Sequence, residues 1–216
     1  MSSITKQIFG IPLSVNNYPS DFSEELEWIN NLEYFGMDGV YSRNPCLQSN
    51  INPCLQSKDH YVLSNQKLSK IRSFIQSSLD EFMDNIYGTS DRLGITQSWI
   101  NLSGKGNFHP EHQHPNSIVS GVWYPFIDED LPPIKFKRFK TSQFHLKKHT
   151  NTRFNSDFCL IPLNPGDLIL FPSDLIHQVP VNESDKKRIS LSFNTWVTGN
   201  MGEDNELTYL PFDRLM

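Results

Sequence analysis

From Gly94 onward the chain is a succession of short apolar or alternating runs separated by turns, a pattern typical of a β-rich fold. Aromatic residues make up 12% of the sequence, with 15 Phe and 4 Trp, enough for a packed interior. The predicted strands are Ile95–Leu102, Ile118–Phe126, Ile134–Phe139, Asp167–Phe171 and Arg188–Val197. The pattern predicts a mainly β fold, an antiparallel sheet or barrel, with flanking helices.

The N-terminal part is predicted to be largely helical. After an opening strand at Ile8–Leu13, Ser20 or Asp21 could cap a short helix whose apolar side carries Leu26, Ile29 and Leu32. A stronger helix is predicted from Ser64 to about Tyr87, with Gly88 as its C-cap. Its apolar stripe is Leu68, Ile71, Ile75, Leu79, Phe82 and Ile86. No linker divides the chain, so we expect one domain over residues 1–216, with helical support at about 1–93 and a barrel core at about 94–200.

Charge and cysteine content exclude several classes of protein. The net charge of -5 is spread along the chain, with no basic patch for nucleic acid or membrane. No apolar run approaches a membrane span, and the start lacks the pattern of a signal peptide. Cys46, Cys54 and Cys159 are an odd number and make no disulfide framework. These features predict a cytoplasmic protein and leave its oligomeric state open.

A six-residue phrase occurs twice. Asn44–Ser49 reads Asn-Pro-Cys-Leu-Gln-Ser, and Asn52–Ser57 repeats it. Two short copies are too little for a solenoid, so we expect a local duplication within a surface loop. This loop and the polar segment Thr141–Asn155 are predicted to contact the substrate.

The stretch from Phe108 reads Phe-His-Pro-Glu-His-Gln-His-Pro-Asn and concentrates imidazoles. On an extended strand His112 and His114 project from the same face, so both can reach one ion at about 2.1 Å. His109 and Glu111 fall roughly on the other face and are the alternative ligands. His177 follows the apolar strand after the Pro165-Gly166 turn, from which it can supply a third imidazole. The spacing therefore predicts a metal site.

The strand beginning at Arg188 has one polar and one apolar face. Its polar residues are Arg188, Ser190, Ser192, Asn194 and Trp196. This face either lies in solvent or lines a ligand cavity in which Arg188 clamps a carboxylate through its planar guanidinium.

The order His-x-His, distal His and Arg-x-Ser resembles the 2-oxoglutarate/Fe(II) dioxygenase superfamily. The stretches Trp99–Asn101, His109–Ser117, Ser120–Tyr124 and Arg188–Asn194 look more closely like the 2OG-Fe(II) oxygenases of marine bacteria and cyanophages. The resemblance covers about residues 97–197 and implies a double-stranded β-helix, a jelly-roll or cupin-like barrel.

Residue by residue, the resemblance gives the metal to His112, His114 and His177, although position 114 is usually a carboxylate in the superfamily. The 2-oxoglutarate site would comprise Arg188, Ser190, Tyr124 and Asn101. The implied cofactors are Fe(II) and 2-oxoglutarate, which reacts with dioxygen to hydroxylate an unidentified substrate and release succinate and CO2. Two alternatives are a cupin-like metalloprotein with other metal-dependent chemistry and a non-catalytic metal-stabilised binding module.

Overall fold

The computed structural model describes residues 10–35, 54–138 and 147–214. Eleven strands in this part of the chain form two antiparallel sheets. They are β1 (Ser14–Asn17), β2 (Tyr34–Phe35), β3 (Leu55–Ser57), β4 (Arg92–Ser103), β5 (His109–His112), β6 (Val119–Phe126), β7 (Ile134–Lys137), β8 (Phe158–Ile161), β9 (Asp167–Pro172), β10 (His177–Val179) and β11 (Arg188–Thr198). The larger sheet has the order β1-β9-β6-β11-β4-β3-β2, and the smaller one the order β5-β10-β7-β8. This confirms the mainly β jelly-roll fold.

The helices pack against the outer face of the larger sheet. Helix α1 spans Ser23–Asn30 and α2 spans Ser69–Phe82, continued by a π-helical turn at Met83–Tyr87. Short 3-10 turns lie at Val62–Ser64, Gln66–Leu68 and Phe212–Arg214. Gly88 ends the π turn with φ of 62°, a left-handed conformation that glycine adopts without a Cβ penalty.

Two apolar cores lie on the two faces of the larger sheet. One joins the sheet to α2, whose side chains Ile71, Ile75 and Leu79 are fully buried. The other fills the barrel between the sheets and includes Tyr124, Phe136 and Phe171. Strands β6 and β9 are therefore buried on both faces, which explains their nearly continuous apolar sequences.

Three sequence predictions about the framework are wrong. Gly10–Leu13 is not a strand, and the first strand of the described chain is Ser14–Asn17, paired with β9. Ile86 is 46% exposed because the π turn rotates it away from the stripe. The α1 N-cap is Phe22, although Asp21 accepts a hydrogen bond from Ser23 Oγ at 2.7 Å.

The duplicated phrase is only partly described. Its first copy and Asn52–Pro53 lie outside the described residues, and so do Phe139 and Thr141–Leu146 of the segments predicted from sequence. The rest of the second copy is not a surface loop, because Cys54 is buried and Leu55–Ser57 form β3 beside β4. This part of the second copy is an inner strand of the larger sheet, paired with β2 and β4, so the prediction of a surface loop is wrong for it.

Candidate metal and cosubstrate site

Three imidazoles converge where the two sheets face each other. His112 ends β5, and its Cα is directly opposite that of His177 on β10. His114 lies two residues beyond β5, where its backbone N–H donates to Ser173 O at 2.9 Å. The ligand atoms of His112, His114 and His177 all lie within 4.8 Å of one another. The structure therefore brings together the three histidines that the spacing singled out.

The Nε2 atoms of these rings face each other because each Nδ1 is occupied. Nδ1 of His112 donates to Pro110 O at 2.8 Å, and Nδ1 of His177 donates to Leu175 O at 2.9 Å. Nδ1 of His114 donates to Asn194 Oδ1 at 2.6 Å. Carbonyl and amide oxygens can only accept, so each Nε2 carries a lone pair.

The spacing of these lone pairs suits one metal ion. Nε2 of His114 and Nε2 of His177 are 3.3 Å apart. Two imidazole nitrogens bound at about 2.1 Å and at right angles would be about 3.0 Å apart. Lone pairs that face each other at this distance repel unless a cation lies between them. The donor set can therefore hold a metal ion such as Fe(II).

Burial keeps the three imidazoles neutral. It lowers the pKa of His112 below its ordinary value, the pKa of His114 to about 4 and the pKa of His177 to about 2. The neighbouring imidazoles act in the same direction on the pKa of His114 and His177. Neutral rings are the form that binds a metal, so the cluster is ready for one at pH 7.

The two alternative ligands lie on different faces of β5, so the expectation that His109 shares a face with Glu111 is wrong. Glu111 lies on the outer face of β5, where it accepts a hydrogen bond from Lys137 Nζ at 2.6 Å. His109 lines the cavity beyond His112, and its Nδ1 is 3.6 Å from Cys54 Sγ. Burial lowers the pKa of His109 to about 3 and raises the pKa of the Cys54 thiol. Neither Glu111 nor His109 belongs to the converging set.

Arg188 lies at the closed end of the same cavity. It begins β11 and is 2% exposed, and its Nη1 donates to Ser190 Oγ at 3.2 Å. The Tyr124 ring is 5.0 Å from Arg188 Cζ. Among the described residues no carboxylate forms an ion pair with this guanidinium. A buried cation without an anionic partner is costly, so the position suits a ligand carboxylate.

Several polar atoms around Arg188 also lack partners within the described part of the chain. They are Arg188 Nε, Tyr124 Oη, Asn101 Oδ1 and Ser103 Oγ, all buried. Buried polar atoms are nearly always hydrogen-bonded in folded proteins. One of the four atoms belongs to Arg188 itself, and Arg188, Tyr124 and Asn101 all line the cavity, which indicates a place for a polar ligand there. Asn101, Tyr124 and Ser190 were expected here from the sequence, whereas Ser103 was not.

The cavity has a volume of about 740 Å³, within the range of small-molecule sites. It extends from Arg188 past the three histidines to Gln97 and Gln113 at its rim. Trp196 was expected on the same face as Arg188 but does not line it. That residue is 39% exposed, beyond a β-bulge that shifts the β4–β11 pairing after Asn194.

Comparison with known proteins gives a family match for part of this chain. Residues 97–194 match the family model described as "Putative 2OG-Fe(II) oxygenase". The match runs from within β4 to within β11 and includes the three histidines and Arg188. Its description names no source, so the marine and phage likeness stays a prediction, and comparison with curated proteins gives no match.

Solved structures share the fold of this chain. A prolyl-4-hydroxylase from Pseudomonas putida has a TM-score of 0.53 at 15% identity, covering 86% of this chain and 94% of its own. The epimerase SnoN from nogalamycin biosynthesis has 0.59 at 12%, covering 86% and 78%. HygX from Streptomyces hygroscopicus, with nickel, 2-oxoglutarate and hygromycin B bound, has 0.53 at 10%, covering 86% and 82%. At these identities the likeness establishes the fold alone.

The comparisons and the histidine cluster together support a non-haem oxygenase that uses Fe(II) and 2-oxoglutarate, as the sequence predicted. Within the described residues, none of the helices has both the length and the apolar character that crossing a bilayer requires.

Proposed function

We propose that this protein is an Fe(II)- and 2-oxoglutarate-dependent hydroxylase that inserts oxygen into a C–H bond of an as yet unidentified substrate. The proposal assigns the metal to His112, His114 and His177. The observation that carries it is the convergence of three neutral imidazoles, each with Nδ1 hydrogen-bonded, near a buried arginine that has no carboxylate partner among the described residues. One oxygenase domain over the whole chain is part of the proposal.

The metal would supply the redox chemistry that couples decarboxylation of 2-oxoglutarate to oxidation of the substrate. The protein residues bind and orient the reactants. Asn194 and the carbonyls of Pro110 and Leu175 hold the three rings with Nε2 directed inward. The hydrogen bonds to Nδ1 also raise the basicity of Nε2, which strengthens metal binding.

Arg188 would bind the distal carboxylate of 2-oxoglutarate through its guanidinium. Ser190 supports this group through the bond to Nη1, and Tyr124 Oη can donate a further hydrogen bond to the same carboxylate. Asn101 donates from Nδ2 to Ser192 Oγ at 3.2 Å, which leaves its Oδ1 directed at the ligand space. Water is excluded from this end because Arg188, Tyr124 and Asn101 are all buried.

The two alternatives fit the site less well. A cupin-like enzyme without a diacid cosubstrate has no use for a buried arginine that, within the described part of the chain, lacks a carboxylate partner near the metal site. A structural metal module needs a closed tetrahedral site, whereas this cluster borders a cavity of about 740 Å³. Hydroxylation is the proposed outcome because a prolyl-4-hydroxylase shares the fold, although an epimerase does so too.

The test is succinate formation by purified protein supplied with Fe(II), 2-oxoglutarate and dioxygen, with candidate substrates or a cell lysate. We expect succinate above the level of a chelator-treated control, and a product heavier by one oxygen atom. Anaerobic addition of Fe(II) and 2-oxoglutarate should also give the weak visible band of the chelate. Absence of both the band and succinate would contradict the proposal.

A further inference from the structure

The part of the cavity that extends away from Arg188 is walled in part by the two edge strands β3 and β2 of the larger sheet. Strands β3 and β2 continue the larger sheet beyond β4, with Gln56 opposite Asn101 and Phe35 opposite Gln56. His60 lies beside them, because its carbonyl accepts a hydrogen bond from Ser98 N on β4 at 2.8 Å. This arrangement adds a second compartment to the site, which we call the outer compartment.

Rings and amides dominate the outer compartment. Its lining comprises Phe35, Gln56, His60, Gln97, Trp99 and Gln113. The Phe35 and His60 rings lie 6.1 Å apart, and the Trp99 indole stacks on the His114 imidazole at 6.0 Å and 19°. Trp99 therefore connects this compartment to the three histidines, so a ligand against Trp99 would lie next to them.

The compartment also contains an unsatisfied polar atom. Nε2 of His60 is buried and has no hydrogen-bond partner among the described residues, yet its ring lines the cavity. Such an atom costs free energy unless a ligand or water satisfies it. Gln56 is 6% exposed and presents an amide, which both donates and accepts, to the same space.

Formal charge is scarce among the described residues of these walls. Of all the described residues that line the cavity, Arg188 is the only arginine, and none is lysine, aspartate or glutamate. Under the proposed function Arg188 is neutralised by 2-oxoglutarate. A charged group entering the outer compartment would lose hydration and find no opposite charge, which costs several kcal/mol when burial is complete.

We propose that the outer compartment binds the prime substrate through an uncharged ring-shaped portion that combines a flat apolar face with hydroxyl or amide groups. The flat face lies against Trp99 and Phe35, and the polar groups bond to Gln56 and His60. Neutral sugars and neutral heterocycles share this chemistry. The inference rests on the proposed function for the identity of the site, but its binding test does not need turnover.

The experiment uses the full-length protein with Zn(II) and saturating 2-oxoglutarate, so that no reaction occurs. Binding of 2-oxoglutarate is first verified by its own thermal shift. Fragments are then added in matched triplets, in which one sugar or heterocyclic ring carries a neutral amide, a carboxylate or an ammonium group. NMR follows the side-chain amides of Gln56 and Gln97 and the indole N–H of Trp99, with Gln76 as an internal control on α2.

We expect the neutral member of at least one triplet to shift the signals of the outer compartment and to bind at least tenfold more tightly than its charged counterparts. Sugar and heterocycle triplets then distinguish the two sources. The inference is overturned if a charged member binds as well as the neutral one, or if no member of any triplet shifts these signals. Missing 2-oxoglutarate binding would instead count against the proposed function, whatever the fragments do.

Charge variants provide a second test. Gln97→Glu introduces a carboxylate at the exposed rim, where it does not endanger folding, and Gln56→Glu introduces one deeper inside. Both should move the preference severalfold toward the ammonium member, more strongly for Gln56→Glu. The matched control is Gln178→Glu, because Gln178 lies on β10 between two cavity-facing residues but does not itself line the cavity. An equal shift in the control variant would contradict the inference.

Discussion

Replacing Arg188 by methionine separates the binding role of this residue from any structural role. Methionine keeps most of the length and apolar stem but removes the charge. Arg188 is 2% exposed, and the described chain offers its guanidinium one hydrogen bond to Ser190 and the face of Tyr124. A buried ion costs several kcal/mol, against about 2 kcal/mol for a desolvated cation–π contact and about 1.5–3 kcal/mol for a hydrogen bond to a charged group.

In the absence of ligand, the free-energy cost of burying the guanidinium and the gain from its two contacts nearly cancel. We therefore expect ligand-free Arg188→Met to unfold with a free energy no more than about 1 kcal/mol below that of the wild type, where a core truncation would cost about 2–5 kcal/mol. With 2-oxoglutarate the two proteins should differ strongly. Truncating one partner of a buried charge pair costs about 2–5 kcal/mol of binding, a loss of about thirtyfold or more.

Thermal unfolding with Zn(II) measures both effects. At 2-oxoglutarate one hundred times above its Kd, bound ligand stabilises the wild type by about 2.7 kcal/mol, which raises Tm by about 5–11 °C in a chain of this length. The same concentration should raise the Tm of Arg188→Met by about 3 °C or less. The control Arg92→Met removes an exposed arginine from the far end of β4 and should keep the full shift. A full shift in Arg188→Met would refute the assignment, and a collapse of its ligand-free stability would show that Arg188 is structural.

Three further predictions concern the histidines. Metal content after dialysis should show loss of Fe(II) in each of the variants His112→Ala, His114→Ala and His177→Ala. Glu111→Ala should retain Fe(II) because Glu111 pairs with Lys137, and His114→Asp should retain it because aspartate supplies a carboxylate ligand. Loss of iron in Glu111→Ala alone would contradict the proposed ligand set. Asn194→Ala should weaken metal binding by about 10–100-fold in a chelator competition, because Nδ1 of His114 loses its hydrogen-bond acceptor. Asn194→Asp keeps an acceptor and should bind the metal as the wild type does. Equal losses of metal affinity in the two variants would contradict this role of Asn194. In chelator-treated folded protein, the pKa values of His109, His114 and His177 are about 4 or lower, so only the unfolded chain binds protons at these residues as the pH falls below about 6.5. The free energy of unfolding should therefore fall by about 3 kcal/mol between pH 6.5 and pH 5.5. A denaturation midpoint that does not change over this range would contradict the buried neutral state of these histidines.

The long strands could be predicted from the sequence because their patterns are local. Strands β4, β6, β9 and β11 carry alternating or continuous apolar runs, and the predictions match them to within a few residues. Strand β5 was missed because it has four residues and contains Pro110, and β10 because it has three. Such short strands are stabilised by pairing with neighbouring strands, and the local sequence pattern does not show which segments pair.

The convergence of the three histidines was also predictable, since the His-x-His pair, the later histidine and the Arg-x-Ser strand are visible in the sequence. The outer compartment was not. Phe35 and His60 reach the cavity only because β2 and β3 pair beyond β4, which nothing in their own segments indicates. One signal could have identified Gln56: it lies two residues after Cys54 in the second copy of the repeated phrase, so the two side chains share a face if the segment is a strand. The repetition itself suggested a loop instead.

The two halves of the site belong to different sheets. His112 and His177 stand on the smaller sheet, and Arg188 and Ser190 stand on the larger one. A diacid held by the metal at one end and by Arg188 at the other would act as a strut across the barrel. The two sheets would then be linked through the ligand, so the amides of β5 and β10 should exchange with solvent more slowly when both ends are engaged. Occupancy of the site would therefore restrict the motion of the smaller sheet relative to the larger one.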